Sequence, residues 1–264
     1  MPYARGKGPA IYYEVEGTGT PIVFLHPPGM GHVTFNQQRR LSSFFQIVFL
    51  DFRGNGRSGR TKERVTVSSM AEDVLQVIDK LQLEKVVVCG YSNGSSVAQE
   101  FALTYPERTS GVLLCGGFPE VNTFFLEKEF DIGIFGAKHK WMPLFGQILS
   151  KSHFKEKPYV QFLKNYVKET NPINLESAYE EGLAYSCLDR IQNLKVPLLL
   201  IYGSRDFYLH VYQWQYAKRV KDLEIIHVSK ATHQIPTKQP DEFNAILKNW
   251  VERKIAKQTQ QLNL

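Results

Sequence analysis

Short runs of apolar residues recur along the chain, and most of them are continuous rather than alternating. A continuous run indicates a strand buried on both faces, which is typical of a parallel sheet between layers of helices. The first segment differs, because it alternates and then meets a turn at 17–21 that contains glycine and proline, so it is predicted to be a hairpin arm. The predicted strands are 11–16, 22–25, 47–50, 86–88, 111–115, 197–202 and 223–228.

Several segments between these strands repeat their apolar residues at the spacing of an amphipathic helix. One such stripe consists of Met70, Val74, Val77, Ile78 and Leu81, and another consists of Phe243, Ile246, Leu247, Trp250 and Val251. The alternation of strands and helices predicts an α/β fold with a doubly wound, mostly parallel sheet.

The alternation stops between residues 119 and 188, where the chain is helix-like and rich in aromatic residues. We interpret 119–188 as a helical cap inserted into a core formed by 1–118 and 189–264. Its aromatic side chains have two interpretations, and both can apply to different residues. They form the core of the insertion, or they line an apolar pocket, since ligand sites in open α/β sheets lie beyond the carboxyl ends of the strands. These residues are Phe124, Phe125, Phe130, Phe135, Trp141, Phe145, Phe154, Tyr159, Phe162, Tyr166, Tyr179 and Tyr185.

The most informative motif is the pentapeptide Gly90-Tyr91-Ser92-Asn93-Gly94, which an apolar run enters and a helix-like run leaves. A strand, a tight turn and a helix would hold the serine hydroxyl out from the sheet, at a helix N-terminus that favours negative charge. The turn strains the serine backbone, so its neighbours two positions away must be small. A plain turn with glycines for packing is the alternative interpretation.

A serine hydroxyl needs an adjacent base, and the base needs an orienting acid. Of the seven histidines, His233 has the best position, because it lies in a turn after the predicted strand 223–228. Asp206 follows strand 197–202 in the same way, so both should lie at the sheet edge that carries Ser92. Asp51 also ends a strand, but it precedes a turn that its carboxylate could brace through backbone N–H groups.

Composition narrows the class of protein. A hydrophobic content of 43% and a charged content of 22% indicate a globular chain, and its net charge of +6 is spread without a basic run of the nucleic-acid type. Cys89, Cys115 and Cys187 are odd in number and far apart, and residues 1–8 lack the apolar core of a signal peptide. We therefore expect a cytoplasmic protein, monomeric or homodimeric, with a small-molecule substrate and neither nucleic-acid nor membrane partners.

Four motifs, which occur in the same order along the chain, resemble those of the α/β-hydrolase superfamily in its cap-bearing, single-domain form. They are His26-Pro27-Pro28-Gly29, Asp51-x-Arg53-Gly54-x-Gly56-x-Ser58, Gly90-x-Ser92-x-Gly94, and Gly203-x-x-Asp206 with the later His233. The resemblance implies a helical cap after the sixth strand of the sheet. It also implies Ser92 as nucleophile, His233 as general base and Asp206 as orienting acid, with no metal or organic cofactor.

One departure from the family pattern concerns the oxyanion hole. The family has glycine where Pro27 stands, and a backbone N–H donor where Pro28 stands, but proline has no N–H. The amide of Asn93 supplies one donor, and a shift of the loop is expected to supply a second from Gly29 or Met30. His26 directly follows strand 22–25, a place suited to holding this loop, and it is grouped with these residues in the predicted oxyanion and substrate-binding region.

Together these features predict a serine hydrolase that cleaves an ester-type bond of a small or medium, apolar substrate through an acyl-enzyme. Esterase, lactonase, thioesterase and carbon–carbon hydrolase activities all remain open within this chemistry. Two alternatives belong to other classes: a ligand-sensing member of the superfamily with slow or single turnover, and an inactive scaffold.

Overall fold

A computed structural model describes residues 2–255 of the chain. Within these residues, one sheet holds eight strands in the spatial order β1-β2-β4-β3-β5-β6-β7-β8. The strands are β1 (Tyr3–Ala4), β2 (Ile11–Glu16), β3 (Pro21–Leu25), β4 (Gln46–Leu50), β5 (Val86–Tyr91), β6 (Thr109–Cys115), β7 (Leu198–Gly203) and β8 (Leu223–Val228). The helices are α1 (Val67–Lys80), α2 (Gly94–Thr104), α3 (Phe124–Lys138), α4 (Met142–His153), α5 (Lys157–Val167), α6 (Pro172–Ala184), α7 (His210–Ala217), α8 (Ile235–Lys238) and α9 (Pro240–Trp250). Shorter helical segments are 3₁₀ turns at His32–Ser43, Pro106–Arg108, Ile191–Asn193 and Phe207–Leu209, and a π turn at Val251–Ile255.

Strands β3 to β8 are mutually parallel, which confirms the predicted mostly parallel sheet. The predicted hairpin at 17–21 is wrong, because β2 does not pair with β3. Instead β2 lies antiparallel to β4, with Val15 opposite Val48, and the two-residue strand β1 extends this edge. The turn runs close to the backbone of Ser42 and Phe45, because a Cβ on Gly17 would lie 2.2 Å from the Phe45 carbonyl oxygen. The pairing partner of β2 is therefore β4, a strand that comes later in the sequence than the adjacent β3.

The core divides into two apolar layers because alternate residues of each strand face opposite sides of the sheet. Val23 and Leu25 of β3 pack with α1 and α2, whereas Ile22 and Phe24 pack with α9 and the His32–Ser43 segment. Fully burying one such side chain contributes about 1.5–3 kcal/mol to stability. Helices on both faces confirm the doubly wound fold.

Four helices, α3 to α6, lie between β6 and β7, which confirms a helical insertion after the sixth strand. Within it α3 packs on α6 and α4 packs on α5. The chain leaves and returns at adjacent points, because Glu120 and Ser186 form an antiparallel bridge and the Cys187 N–H donates to the Pro119 carbonyl at 2.9 Å. Among residues 2–255, none of the helices combines the length and apolarity that crossing a bilayer requires.

Candidate active site

The turn between β5 and α2 holds Ser92 in a left-handed backbone conformation, with φ at +53°. Its N–H donates to the Cys115 carbonyl at 2.9 Å, which ties the turn to β6. A Cβ on Gly90 would lie 2.6 Å from the Cα of Ser95, and one on Gly94 would lie 2.2 Å from the Leu25 carbonyl oxygen. Neither contact is sterically allowed, so the two glycines are the small neighbours that a strained serine requires.

His233 and Asp206 meet at the same edge of the sheet. The Nδ1 atom of His233 lies 2.9 Å from the Oδ2 atom of Asp206, and the carboxylate is buried. Asp206 follows β7 and His233 follows β8, so neighbouring parallel strands carry both groups to this edge. The imidazole also lies against Gly116, where any side chain would collide with the ring. A hydrogen bond at Nδ1 leaves Nε2 as the nitrogen that can accept a proton.

Ser92 and His233 both line a cavity of about 370 Å³ between the sheet edge and the inserted helices. Most of its wall is apolar, and helices α3, α4 and α6 contribute much of it. The apolar and aromatic lining residues include Met30, Leu126, Phe130, Ile132, Phe145, Ile148, Leu149 and Tyr179. The cavity is of the size that holds a small organic ligand.

The aromatic residues of the insertion therefore serve in both predicted ways, and some in neither. Phe130, Phe145 and Tyr179 line the cavity. Phe154 and Tyr166 are buried in a separate core beneath α4 and α5. Five others are substantially exposed on the insertion: Phe124, Phe125, Phe135, Trp141 and Phe162.

The loop after β3 does not supply the expected second oxyanion donor. The Gly29 N–H donates to Asn55 Oδ1 at 2.9 Å, and the Met30 N–H points back to the Pro27 carbonyl at 3.3 Å. Pro28 followed by a glycine with φ at +77° is typical of a tight turn closed by that second bond, so the prolines themselves direct the Met30 amide away. The Asn93 N–H, by contrast, has no acceptor among residues 2–255.

His26 holds the loop and does not line the cavity with Ser92, which corrects its predicted place among the substrate-binding residues. Its Nδ1 donates to the Pro27 carbonyl at 2.8 Å, and its Nε2 accepts the Phe52 N–H at 3.1 Å. Burial lowers the pKa of His26 to about 4, so the ring is neutral at pH 7. Both nitrogens are occupied, and none is left for a substrate.

Asp51 braces its turn, and it also binds the insertion. Its carboxylate accepts the N–H groups of His32 at 2.8 Å and Arg57 at 3.0 Å, and the Tyr166 hydroxyl of α5 at 2.6 Å. Burial alone would lower the pKa of His32, but its hydrogen bonds to Asp51 and Glu14 outweigh burial and raise that pKa. This buried cluster lies outside the cavity and joins the insertion to the core.

Sequence reasoning missed a second histidine in the cavity, His153 at the end of α4. Its Nδ1 donates to the Leu149 carbonyl at 2.9 Å, and its Nε2 accepts the hydroxyl of Tyr91 at 3.1 Å. The ring of Tyr91 in turn lies 5.4 Å from that of His233, measured between centroids. Burial lowers the pKa of His153 to about 4. No local pattern marks this residue, because its place depends on how the insertion docks.

Glu129 and Tyr208 were likewise missed. Both line the cavity, and the Tyr208 hydroxyl donates to Glu129 Oε1 at 2.9 Å, which joins α3 to the loop after β7. Proximity of Tyr208 to Asp206 in sequence was the one available signal. Within residues 2–255 no group of three or more His, Cys, Asp or Glu side chains is arranged to hold a metal ion.

Comparison with known proteins agrees with this architecture. A family model described as "alpha/beta hydrolase fold" matches residues 20–170, more than half of the chain. The putative carbamate hydrolase RutD of Azorhizobium caulinodans is 27% identical over 260 residues, which cover 94% of this chain and 97% of the relative. The pimeloyl-[acyl-carrier protein] methyl ester esterase of Nitrosospira multiformis is 23% identical, and the match covers 89% of this chain and 96% of the esterase chain.

Among solved structures, the enol-lactonase of Burkholderia xenovorans superposes with a TM-score of 0.84 at 20% identity, and covers 96% of this chain and 100% of its own. The match to the family model spans strands β3 to β6 and the turn that holds Ser92. The chain therefore belongs to the alpha/beta hydrolase family and is a hydrolytic enzyme of that family.

Proposed function

We propose that this enzyme is a serine hydrolase that cleaves an ester-type bond through an acyl-enzyme on Ser92. The observation that supports the proposal most is a shared location. Ser92 and His233 line one cavity, and the Asp206 carboxylate stands 2.9 Å behind the imidazole. The strained backbone of Ser92, with φ at +53°, adds the geometry of an exposed nucleophile.

In the proposed reaction, His233 Nε2 takes the proton of Ser92 as Oγ attacks the ester carbonyl. The Asn93 N–H binds the oxyanion, and the leaving alcohol receives the proton from His233. A water molecule activated by the same nitrogen then releases the acid and restores the serine. Asp206 fixes the tautomer that presents Nε2, and it stabilises the imidazolium that forms in each step.

Residues 119–188 act in this proposal as the cap that closes the cavity over the sheet edge. The cavity volume of about 370 Å³ and its aliphatic and aromatic wall suit a small or medium substrate with an apolar part. A cytoplasmic setting is part of the proposal, and the three cysteines, all free and buried, are compatible with it.

The test uses two serines that line the same cavity, Ser92 and Ser152. Ser92→Ala should lose hydrolysis of short p-nitrophenyl esters and labelling by a fluorophosphonate, because only the activated hydroxyl reacts. Ser152→Ala should keep the labelling. A Ser92→Ala protein that still hydrolyses the ester at most of the original rate would contradict the proposed nucleophile.

A ligand-sensing role is the second candidate, and one observation favours it. The amides of Gly29 and Met30 already donate to other acceptors, so neither joins the Asn93 N–H as the second donor to the oxyanion. An oxyanion bound by one donor favours slow turnover. Fast multiple turnover of simple esters would exclude this candidate. One slow turnover per molecule, accompanied by a ligand-dependent change in proteolysis of residues 119–188, would support it instead.

A further inference from the structure

The charge of the cavity differs from that of the whole chain. The protein carries a net charge of +6, yet no lysine or arginine lines the cavity within the described residues 2–255. In the part of the chain that the structure describes, Glu129 is the sole aspartate or glutamate on that wall. The low pKa of His153, about 4 because of burial, means that this histidine adds no positive charge at pH 7. Among the described residues, the lining therefore holds one carboxylate and no opposing lysine or arginine.

The position of this carboxylate is fixed by a contact between the insertion and the core. Glu129 lies on α3 and is exposed to solvent, at the side of the cavity where α3 faces the loop after β7. The Tyr208 hydroxyl donates to its Oε1 at 2.9 Å, and this bond leaves Oε2 as an acceptor. None of the ion pairs formed within residues 2–255 involves Glu129, while its neighbour Lys128 pairs with Asp131 at 2.6 Å. The charge is thus not neutralised by a nearby cation.

We propose that Glu129, positioned by Tyr208, makes the cavity select ester substrates that carry a hydrogen-bond donor or an ammonium group, and reject those that carry a second carboxylate. This inference rests on the proposed serine hydrolase function and names the substrate class of that site. Even in bulk water, two unit charges about 4 Å apart interact by about 1 kcal/mol, so an exposed carboxylate at the cavity mouth can discriminate between an ammonium group and a second carboxylate. The preference runs against the net positive charge of the chain, which by itself would attract anions.

Three p-nitrophenyl esters of matched acyl length test the inference: heptanoate, 6-aminohexanoate and monoadipate. We expect kcat/KM for the aminohexanoate to exceed that for the monoadipate by about tenfold or more, from a single Coulomb contact at the cavity mouth. Glu129→Gln should bring the two values within about threefold of one another. Glu127→Gln removes a similar charge from the exposed side of the same helix but does not touch the cavity, so it should keep the full ratio.

A binding measurement gives the same comparison without turnover. Calorimetry on Ser92→Ala should show tighter binding of octylammonium than of octanoate, and Glu129→Gln in that background should remove the difference. Hydrolysis of the heptanoate with equal rates for the two charged esters would overturn the inference and leave the serine hydrolase proposal intact. If no ester is hydrolysed, the proposed function fails. The ratio of the dissociation constants for octylammonium and octanoate then decides whether Glu129 selects the ligand charge.

Discussion

The backbone nitrogen of Pro28 carries no hydrogen, although this residue lines the same cavity as Ser92. The resemblance to α/β-hydrolases implies an N–H donor to the oxyanion at this position. In the structure the neighbouring amides of Gly29 and Met30 have other acceptors. In the proposed mechanism the amide of Asn93 alone binds the developing charge, and the loss of one donor typically costs about 3–4 kcal/mol of barrier.

Pro28→Ala restores the missing N–H, and we expect it to raise kcat for p-nitrophenyl acetate by about tenfold or more. Pro27→Ala is the matched control, because it frees the same loop and restores an N–H one position away from the expected donor. Replacing either proline gives the unfolded chain more conformational entropy, which lowers stability by about 0.4–1 kcal/mol. Equal rates for the wild type and Pro28→Ala, or an equal gain in both variants, would show that a missing N–H at Pro28 does not limit turnover.

The sequence predicted some strands better than others, because the strands differ in how far they are buried. Strands β3 to β7 are covered on both faces, so continuous apolar runs identified each of them. The pairing of β2 with β4 was not predicted, because an alternating strand identifies its buried face and not its neighbour. The two residues of β1 are too few to form a pattern, and their pairing with β2 depends on the finished sheet edge.

At the level of helices, the insertion is joined to the core by buried polar contacts as well as by apolar packing. Tyr166 of α5 donates its hydroxyl to Asp51 at 2.6 Å, and both groups are buried. A hydrogen bond to a charged group contributes about 1.5–3 kcal/mol to stability. Removing the donor also leaves the buried carboxylate with one hydrogen bond fewer. The docking of α5 therefore depends in part on this one hydroxyl.

Tyr166→Phe is expected to lower the free energy of unfolding by about 1–3 kcal/mol, measured by urea titration. Tyr159→Phe is the control on the same helix, since the Tyr159 hydroxyl makes no hydrogen bond to any residue of the described chain and its removal should change stability by less than about 0.5 kcal/mol. If the two variants were equally stable, the Tyr166 hydroxyl would not hold the insertion to the core.

For the whole molecule, the limit of sequence reasoning lies at the contact between insertion and core. Ser92, Asp206 and His233 could be placed together because each follows a strand, and parallel strands end at one edge. His153 and Glu129 lie on helices α4 and α3, whose orientation over that edge is set by packing between distant segments. No spacing in the sequence encodes such an orientation, so the cavity wall was visible only in the folded chain.

The two buried neutral histidines, His26 and His153, make the stability of the folded chain depend on pH. Burial lowers the pKa of each to about 4, whereas an unfolded histidine titrates near 6.5. Between these values the unfolded chain binds protons that the folded chain does not, so folding is favoured above pH 6.5 and loses stability as the pH falls. The raised pKa of His32 acts oppositely, but that contribution is complete below about pH 6.5.

We therefore expect urea titrations to show a loss of about 2 kcal/mol for each of the two histidines between pH 7 and pH 5. His153→Gln keeps an acceptor for the Tyr91 hydroxyl but cannot bind a proton, so its loss over the same interval should be about 2 kcal/mol smaller than that of the wild type. His139→Gln changes an exposed residue of the insertion and should retain the wild-type loss. An unchanged pH dependence in His153→Gln would mean that burial of the ring against β5 does not lower its pKa below that of an unfolded histidine.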